Sequence, residues 1–229
     1  MNQVNDLLAE GMLSLCQNDP DIENIIAPRH GEIISLLAAY IAEIMTHNPV
    51  LSLVGTNDPK ELVIRHILDS LAPLGIISRK CNLSRIADVG SGAGLPGIPL
   101  AIMLPDSEFT LIERKGRRSG FLRNTLAALV NKNHSLSNVS VEEQEMEKVK
   151  SHRFSMVTFR AFKPLEPKIL KKLFRLCAEG GVLAAYKGRR GKIEAEMAEL
   201  ELSSQTITWE LIPCPVPMLD EERHLLLIS

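Results

Sequence analysis

A single stretch organises this chain: Ile86-Ala87-Asp88-Val89-Gly90-Ser91-Gly92-Ala93-Gly94-Leu95-Pro96-Gly97-Ile98-Pro99. An apolar run ends in an acid, a glycine-rich turn follows, and a helix is expected near Pro99, where a missing N–H costs no hydrogen bond. Glycine has no Cβ, so the backbone can adopt strained angles and a ligand can lie directly on it. The free N–H groups of the following helix point toward that ligand. The stretch therefore predicts a nucleotide-type cofactor site at the carboxyl end of a first strand.

Two kinds of cofactor fit this turn. Residues 92–97 satisfy the dinucleotide pattern G-x-G-x-x-G, and residues 90–94 satisfy the G-x-G-x-G pattern of S-adenosylmethionine (SAM) enzymes; a glycine pattern alone is weak evidence. Asp88 favours SAM, because a carboxylate there can bind the methionine ammonium directly or through water but would repel a pyrophosphate. Glu113 ends the next apolar run, where a carboxylate binds both ribose hydroxyls. We predict SAM, with a ligand-free strand–helix turn as the alternative.

Four motifs in combination resemble one known family. They are Arg65-His66-Ile67-Leu68-Asp69-Ser70, the glycine loop with its two prolines, Arg160-Ala161-Phe162, and Leu219-Asp220-Glu221-Glu222-Arg223-His224. From about Asn48 to the C-terminus the chain is similar to the glucose-inhibited division protein B family. Members of that family are bacterial 16S rRNA guanine-N7 methyltransferases. The family usually has Asp where this chain has Glu113, and Lys-Arg where it has Arg117-Arg118, which affects the geometry of the site more than its chemistry.

Strand and helix patterns alternate from Ser84 onward. Apolar runs predict strands at 85–89, 108–113, 138–142, 154–159 and 181–186, and helical patterns fall at about 97–104, 117–131, 165–178 and 191–202. Repeated β–α units predict a parallel sheet with helices on both faces. Residues 206–212 and 224–228, with no helix between them, predict an antiparallel hairpin at the sheet edge. This is the Rossmann-like α/β architecture of class I SAM-dependent methyltransferases, a mostly parallel seven-stranded sheet.

Two helices are expected ahead of this sheet. Apolar residues recur at helical spacing in residues 4–16 and 31–46, and Pro49 is expected to end the second helix. We predict that residues 1–57 form an N-terminal helical cap on a methyltransferase domain of residues 58–229. A dimer contact is the alternative use of these helices, and we expect a monomer.

A third helix is predicted from residues 58–61 to about Leu74. It begins with an aspartate cap, a proline at the first position and a glutamate three residues after the cap. Arg65 and Asp69 are four apart and His66 and Asp69 three apart, so all can meet on one helix face. A surface ion-pair cluster is the ordinary interpretation. The family resemblance instead implies that His66 or Asp69 lines the cofactor entrance.

The cofactor site is completed from the other strand ends. Val141 and Glu142 follow the third strand, and the resemblance implies that they contact the adenine. From the residues alone, Glu142 is nearly as well explained as part of the solvated acidic run 142–145. With Asp88 and Glu113, the predicted cofactor-binding set comprises Gly90, Gly92, Gly94, Leu95, Val141, Glu142 and Arg160.

Arg160 stands where many DNA and RNA amino-methyltransferases carry an Asn-Pro-Pro-aromatic motif. This chain has Thr158-Phe159-Arg160-Ala161-Phe162 instead. Guanine N7 is already a lone-pair acceptor, and its methylation releases no proton. We therefore predict no general base and catalysis by positioning, with Arg160 and His66 as the positioning residues. A guanidinium offers bidentate donors to guanine O6 or to phosphate; a strand-end salt bridge is the alternative for Arg160.

Composition and charge restrict how RNA can be bound. The 229 residues are 45% hydrophobic and 24% charged with a net charge of −2, which is typical of a globular protein and not of a general nucleic-acid binder. Basic residues concentrate after strand ends, where glycine-interrupted loops can approach phosphates. The predicted RNA-binding residues are Arg117, Arg118, Arg123, Lys187, Arg189, Arg190 and Arg223. Solubilising charge is the usual explanation for one such cluster, and two on one rim favour an RNA-facing surface.

Cysteine spacing and the N-terminus indicate the compartment. The four cysteines make no C-x-x-C pair, so we expect reduced thiols in or near the core and no metal site or disulfide. We expect no leader and no apolar run of membrane-spanning length. The prediction is a cytoplasmic enzyme that uses SAM to methylate 16S rRNA in the small ribosomal subunit or its precursor. The alternatives are a small-molecule SAM methyltransferase and a SAM- or RNA-binding assembly factor without turnover.

Overall fold

A seven-stranded sheet forms the centre of the chain, whose computed structural model describes residues 2–130, 136–161, 164–203 and 207–229. The strands are β1 Arg85–Val89, β2 Glu108–Ile112, β3 Val139–Glu142, β4 Phe154–Arg160, β5 Cys177–Lys187, β6 Trp209–Pro213 and β7 His224–Ile228. Their order is β3-β2-β1-β4-β5-β7-β6. β1 to β5 are parallel, and β7 is antiparallel to both of its neighbours. The predicted fold class, with its C-terminal antiparallel hairpin, is confirmed.

The strand order reverses between β1 and β4. From β1 the chain adds β2 and β3 on one side, then returns to place β4 on the other side of β1. In the register, Asp88 of β1 lies between Leu111 of β2 and Thr158 of β4. In open α/β sheets a crevice forms at the carboxyl ends of the strands where the order reverses. The glycine loop that follows β1 therefore opens into this crevice.

Helices cover both faces of the sheet. They are α1 Asn2–Asn18, α2 Pro20–Ile26, α3 His30–Leu51, α4 Pro59–Leu62, α5 Asp69–Leu71, α6 Leu74–Lys80, α7 Gly97–Met103, α8 Gly116–Val130, α9 Pro167–Phe174 and α10 Arg190–Ser203. Successive strand residues point to opposite faces, so Ile86 packs with α1–α3, α7 and α8 whereas Ala87 packs with α9 and α10. Burial on both faces explains why the central strands read as continuous apolar runs.

The second helix is longer than predicted. α3 runs from His30 to Leu51 with Pro49 inside its last turn, so the prediction that Pro49 ends it was wrong. The helix ends instead at Ser52, which has a left-handed φ of 48° and donates its N–H to Asn48 O. The buried Asn48 side chain bonds the backbone of Val54 and Thr56. These bonds fix where the chain leaves the helix.

One helical stretch of the described residues is long and apolar enough to cross a membrane by length and composition alone. It spans Pro20–Leu51, which the sequence analysis did not predict. Many of its apolar side chains are packed in the protein core, including Ile33, Leu37 and Ile41, whereas Val50 is exposed. Core helices of globular proteins pass the same test, and we interpret this stretch as one of them.

The predicted helix from Asp58 to Leu74 is interrupted. Asp58 caps it as predicted, its carboxylate accepting from Lys60 N at 2.9 Å. After α4, residues Val63–Leu68 form a π-helical segment before α5. The prediction of one continuous α-helix was therefore wrong. Since π-helical turns have i→i+5 bonds and often occur at functional sites, the side chains of Arg65 and His66 do not follow ordinary helical spacing.

The N-terminal helices share one hydrophobic core with the sheet. Leu8 of α1 and Tyr40 of α3 belong to the same buried cluster as Ile98 of α7 and Leu122 of α8. The core is continuous across the predicted boundary at residue 57. The division into a cap of residues 1–57 and a domain of residues 58–229 stays a prediction.

Candidate functional site

The glycine loop lies between β1 and α7, which begins at Gly97, as the predicted helix at about 97–104 requires. Gly90, Gly92 and Gly94 have φ values of 73°, 57° and 94°, a region that residues with side chains rarely adopt. A Cβ on Gly94 would stand 2.5 Å from Ile98 Cδ1. The loop therefore requires glycine for its own conformation as well as for access by a ligand.

Asp88 lies beneath this loop and is buried, with 1% exposure. Its Oδ2 accepts a hydrogen bond from Gly97 N at 3.1 Å, and its Oδ1 has no partner among the described residues. Burial raises the pKa of Asp88 to about 7, against the lowering effects of its hydrogen bonds and of Arg160. A buried carboxylate oxygen without a donor fits a cationic ligand group. The ammonium of a bound methionine moiety would supply that donor.

Glu113 faces the same loop from the end of β2. Its Oε2 accepts from Gly92 N at 3.1 Å and its Oε1 from Lys115 N at 2.9 Å. Glu113 lines a pocket of about 510 Å³ together with Val89, Gly90, Ile112, Arg114, Arg118 and Ala161. The predicted ribose carboxylate and the glycine loop are therefore in direct contact at the mouth of a ligand-sized cavity.

After β3, the lining of this pocket begins further along the chain than Val141 and Glu142, whose contact with the adenine stays a prediction. Its lining residues after β3 are Gln144, Glu145, Met146 and Glu147. Val141 and Glu142 are not among them, because β3 continues to Glu142, whose carbonyl accepts from Glu113 N at 3.1 Å within the sheet. The Glu142 carboxylate forms an ion pair with Arg153. The lining after β3 therefore lies a few residues toward the C-terminus and includes the end of the acidic run 142–145.

Arg160, Asp69 and His66 come together beside the glycine loop. Arg160 Nη1 donates to Asp69 Oδ2 at 2.9 Å, and Nη2 stands 3.1 Å from His66 Nδ1. The strand-end salt bridge that was the alternative for Arg160 is present. A guanidinium can only donate, so Nδ1 carries the lone pair and the neutral ring is protonated at Nε2. Burial, with Arg160 and Arg65 nearby, lowers the pKa of His66 to about 4.

A second guanidinium completes this group. Arg223 Nε donates to Asp69 Oδ1 at 3.0 Å, and its Nη2 donates to Glu221 at 2.9 Å. Glu221 also pairs with Arg65 at 2.7 Å. Arg65 therefore reaches Asp69 through Glu221 and Arg223, although their four-residue spacing predicts that they can meet on one helix face.

Two pockets adjoin at Ala161. The second, of about 340 Å³, is lined by Arg65, His66, Asp69, Arg160, Gly188 and Arg223. Ala161 lines both pockets and has a left-handed φ of 52°. Phe162, the last residue of the predicted motif, lies outside the described residues. The arrangement is a pocket beside the glycine loop that adjoins a separate pocket with arginine and histidine donors.

Comparison with known proteins identifies the family. A family model for rRNA small subunit methyltransferase G (GidB) matches residues 33–226. The chain is 35% identical to ribosomal RNA small subunit methyltransferase G of Treponema pallidum, over 97% of this chain and 92% of the relative. It is 34% identical to the protein of that name from Cronobacter sakazakii, over 91% of this chain and 94% of the relative. The chain belongs to the rRNA small subunit methyltransferase G family.

Solved structures agree on the fold. A SAM-dependent methyltransferase of Aquifex aeolicus aligns with a TM-score of 0.53 at 15% identity, over 75% of this chain and 93% of that one. A protein of Methanococcus maripaludis described as a SAM-dependent methyltransferase aligns with a TM-score of 0.55 at 14% identity, over 82% and 91%. The predicted family is thus confirmed, and the match begins ahead of Asn48. The chain is a SAM-dependent methyltransferase of small-subunit rRNA.

In this methyltransferase G family member, the predicted RNA-facing cations differ in their surroundings. Lys187 is largely buried and bonds both oxygens of Glu196 at 2.8 and 2.9 Å, so its charge is used inside the fold and the structure does not support an RNA contact. The exposed Arg123 and Arg190 pair with neighbouring glutamates. Within the described residues, the side chains of Arg117 and Arg189 make no ion pair.

The described residues were expected to hold no metal site and no disulfide. In the part of the chain that the structure describes, no group of three or more histidine, cysteine or acidic residues is placed to hold a metal ion. Cys16, Cys81, Cys177 and Cys214 are free thiols. Burial raises the pKa of Cys177 and of Cys214 to about 12, so neither is a reactive thiolate at neutral pH.

One contact to the glycine loop was missed altogether. Tyr40 of α3 donates its hydroxyl hydrogen to Ala93 O at 2.7 Å. In the sequence, Tyr40 is one apolar-face residue of an amphipathic helix, and no local pattern distinguishes it from its neighbours. Only the packing of α3 against the loop shows this contact.

Proposed function

We propose that this enzyme transfers the SAM methyl group to N7 of a guanine in 16S rRNA. The names of its relatives give small-subunit rRNA as the substrate, and the chemistry of the site favours N7. The supporting observation is the hydrogen bonding and pKa of His66, which lines the second pocket. The lone pair of its imidazole ring faces a protein donor. Its Nδ1 lies 3.1 Å from Arg160 Nη2, and its pKa is about 4. A histidine so engaged is a poor general base. N7 needs none, because its lone pair is free before reaction.

The residues divide into two roles in this proposal. SAM supplies a methyl group activated by the adjacent sulfonium. Asp88 holds the methionine ammonium, Glu113 holds the ribose hydroxyls, and the backbone of the glycine loop lies against the cofactor. Arg160 is held by Asp69 and in turn fixes the His66 ring, so that donors in the second pocket orient the guanine. Catalysis then rests on alignment of N7 with the methyl group.

The proposed substrate is an accessible guanine in a folded particle. The major groove of an A-form helix is too narrow for side chains to reach N7, so the target base must be unpaired, bulged or flipped out. With a net charge of −2, binding must depend on local cations such as Arg117 and Arg189. We propose that the enzyme acts in the cytoplasm, as a monomer, on the small ribosomal subunit or its precursor.

The test is methyl transfer from labelled SAM to small subunits that lack the modification. Chemical cleavage at 7-methylguanine is expected to map a single site in 16S rRNA. Gly92→Val is expected to abolish SAM binding and transfer, because Gly92 has a φ of 57° in the loop; the control Gly55→Val sits where an added Cβ meets nothing within 4 Å. Label at an exocyclic amine, on protein or on DNA would contradict the proposal. SAM binding without transfer to any particle would favour an assembly factor.

A further inference from the structure

Tyr40 joins the N-terminal helices to the cofactor loop. Its side chain is fully buried in the core, and its hydroxyl donates to Ala93 O at 2.7 Å across 53 residues of sequence. Ala93 is itself buried, with 4% exposure. It stands between Gly92 and Gly94, two residues with positive φ, so this bond reaches the most constrained part of the glycine loop.

The Ala93 carbonyl has no local donor. In a turn leading into a helix, a carbonyl is normally bonded by the N–H three or four residues later. Three residues later stands Pro96, which has no N–H. Four residues later stands Gly97, whose N–H donates to Asp88 Oδ2 at 3.1 Å. Among the described hydrogen bonds of this loop, Tyr40 is the donor that satisfies the buried Ala93 oxygen.

We propose that Tyr40 is a positioning residue for SAM, acting through Ala93 to hold the glycine loop in its binding conformation. The inference rests on the proposed role of that loop in SAM binding. The loop must present its backbone to the cofactor while its Gly97 amide is committed to Asp88. Both conditions can hold at once because the Tyr40 hydroxyl donates to Ala93 O, which then needs no hydrogen bond from a nearby backbone N–H. The N-terminal helical segment is thereby part of the cofactor site.

Two further observations agree with this role. Burial raises the pKa of Tyr40 well above its ordinary value, so the hydroxyl keeps its proton and remains a donor at working pH. The end of α3 touches the site a second time: Ser52 O accepts from Arg118 Nη2 at 3.4 Å, and Arg118 lines the cofactor pocket. The same helix thus contacts both the loop and the pocket wall.

The test compares Tyr40→Phe with Tyr186→Phe. Tyr186 also donates its hydroxyl hydrogen to a backbone carbonyl, Ser70 O at 2.8 Å, which belongs to α5 and not to the glycine loop. Both variants keep the ring and lose one hydrogen bond. Tyr40→Phe is expected to weaken SAM and S-adenosylhomocysteine binding about tenfold in calorimetry, the effect of one unsatisfied buried carbonyl. KM for SAM should rise in step, while kcat at saturating SAM stays within about twofold.

The control separates positioning from general stability. Tyr40→Phe and Tyr186→Phe are expected to lower the melting temperature by similar amounts. Tyr186→Phe should nevertheless leave the affinity for SAM within about twofold of wild type. Unchanged SAM affinity in Tyr40→Phe, or an equal loss in both variants, would overturn the inference. If Tyr40→Phe does not fold, protection of the Gly92 and Gly94 amides from hydrogen exchange in wild type provides the second measurement: rapid exchange would refute a held loop. Failure of wild type to bind SAM would instead refute the proposed role of the site.

Discussion

Arg160 and Asp69 lie 91 residues apart in the sequence and form a mostly buried ion pair, Nη1 to Oδ2 at 2.9 Å. The two side chains are 15% and 9% exposed. The pair joins the carboxyl end of β4 to the residue that follows the π-helical segment. Asp69 bonds Arg223 as well, so one carboxylate neutralises two guanidinium groups at the second pocket.

Asp69→Asn is expected to disrupt the second pocket, which Arg160 lines, and to leave the pocket lined by Glu113 unchanged. Removing the charge leaves two guanidinium groups close together without compensation, which should lower the free energy of unfolding by about 3–5 kcal/mol. Methyl transfer should fall more than about tenfold, since Arg160 and His66 lose their orientation. Urea unfolding, single-turnover kinetics and SAM calorimetry would measure this. Asp21→Asn, which loses an exposed pair with Arg79, is the control, and equal effects in both variants would contradict the prediction.

Glu113→Gln is expected to weaken SAM binding by more than about tenfold. The carboxylate accepts from two backbone amides and is placed for the ribose hydroxyls, and an amide would turn an NH₂ group toward one of these donors. Glu143→Gln, an exposed carboxylate paired with Arg123, is the matched control and should leave SAM affinity unchanged. Calorimetry with S-adenosylhomocysteine distinguishes them. Normal affinity in Glu113→Gln would remove this residue from the site.

Asp88 is expected to make the ligand-free protein less stable as pH rises. Its pKa is about 7 in the fold against 3.8 for the ordinary group, so between these values the folded chain binds a proton that the unfolded chain has lost. The free energy of unfolding therefore falls as pH rises toward 7, by up to about 1.4 kcal/mol per pH unit. Urea unfolding between pH 4.5 and 8 would measure this slope.

Asp88→Asn should remove this contribution, whereas Glu108→Gln, at an exposed carboxyl on β2, should not. Saturating SAM should flatten the slope in wild type, because the ligand ammonium favours the ionised carboxylate. An unchanged slope in Asp88→Asn would show that another group is responsible.

His66 is expected to change the pH dependence of stability in the opposite direction from Asp88. Its pKa of about 4 lies below the ordinary 6.5, so between pH 6.5 and 4 the unfolded chain binds more protons and stability falls as the pH falls. The charged groups facing it are Arg160, Arg65 and, through Arg160, Asp69. His66→Gln should remove this loss and reduce methyl transfer less than about tenfold, since no proton transfer is required.

Urea unfolding at pH 5 and 7.5 and the pH dependence of single-turnover transfer would check both effects of the His66 change. His30→Gln, an exposed histidine at the start of α3, serves as the control. A loss of several orders of magnitude in His66→Gln with intact SAM binding would show that the histidine transfers a proton.

Arg189→Ala and Lys187→Ala are expected to affect RNA binding differently, although both lie in one basic stretch of the sequence. Arg189 makes no ion pair in the described part of the chain, so removing it should reduce the slope of log affinity against log salt by about 0.7–0.9 for one phosphate contact. Lys187→Ala should leave that slope unchanged but reduce stability, because it leaves Glu196 without its cation. Filter binding to small subunits at several salt concentrations would test both variants. Lys80→Ala is the control, because Lys80 lies ahead of β1 and is not one of the predicted RNA-binding residues.

The strands and the cofactor loop were predictable from local sequence because their chemistry is local. Gly92 and Gly94 adopt positive φ values, which favour glycine. The strands are buried on both faces and therefore consist of continuous apolar runs. The positions of Asp88 and Glu113 at strand ends were predictable because each lies at the end of such a run, and their contacts with SAM stay predictions. The parallel order then brings the strand ends to one edge of the sheet without further information.

Long-range contacts were decided by tertiary packing. Arg160 meets Asp69 and His66 only because β4 returns beside β1, next to a π-helical segment whose spacing departs from the helical pattern. Lys187 bonds Glu196 within the fold, although the sequence presents it as one of several cations in an exposed loop. The Tyr40 bond to Ala93 depends on how α3 packs. Local sequence determines backbone conformation and burial, whereas the partner of each buried polar group depends on which distant segment the shared core brings against it.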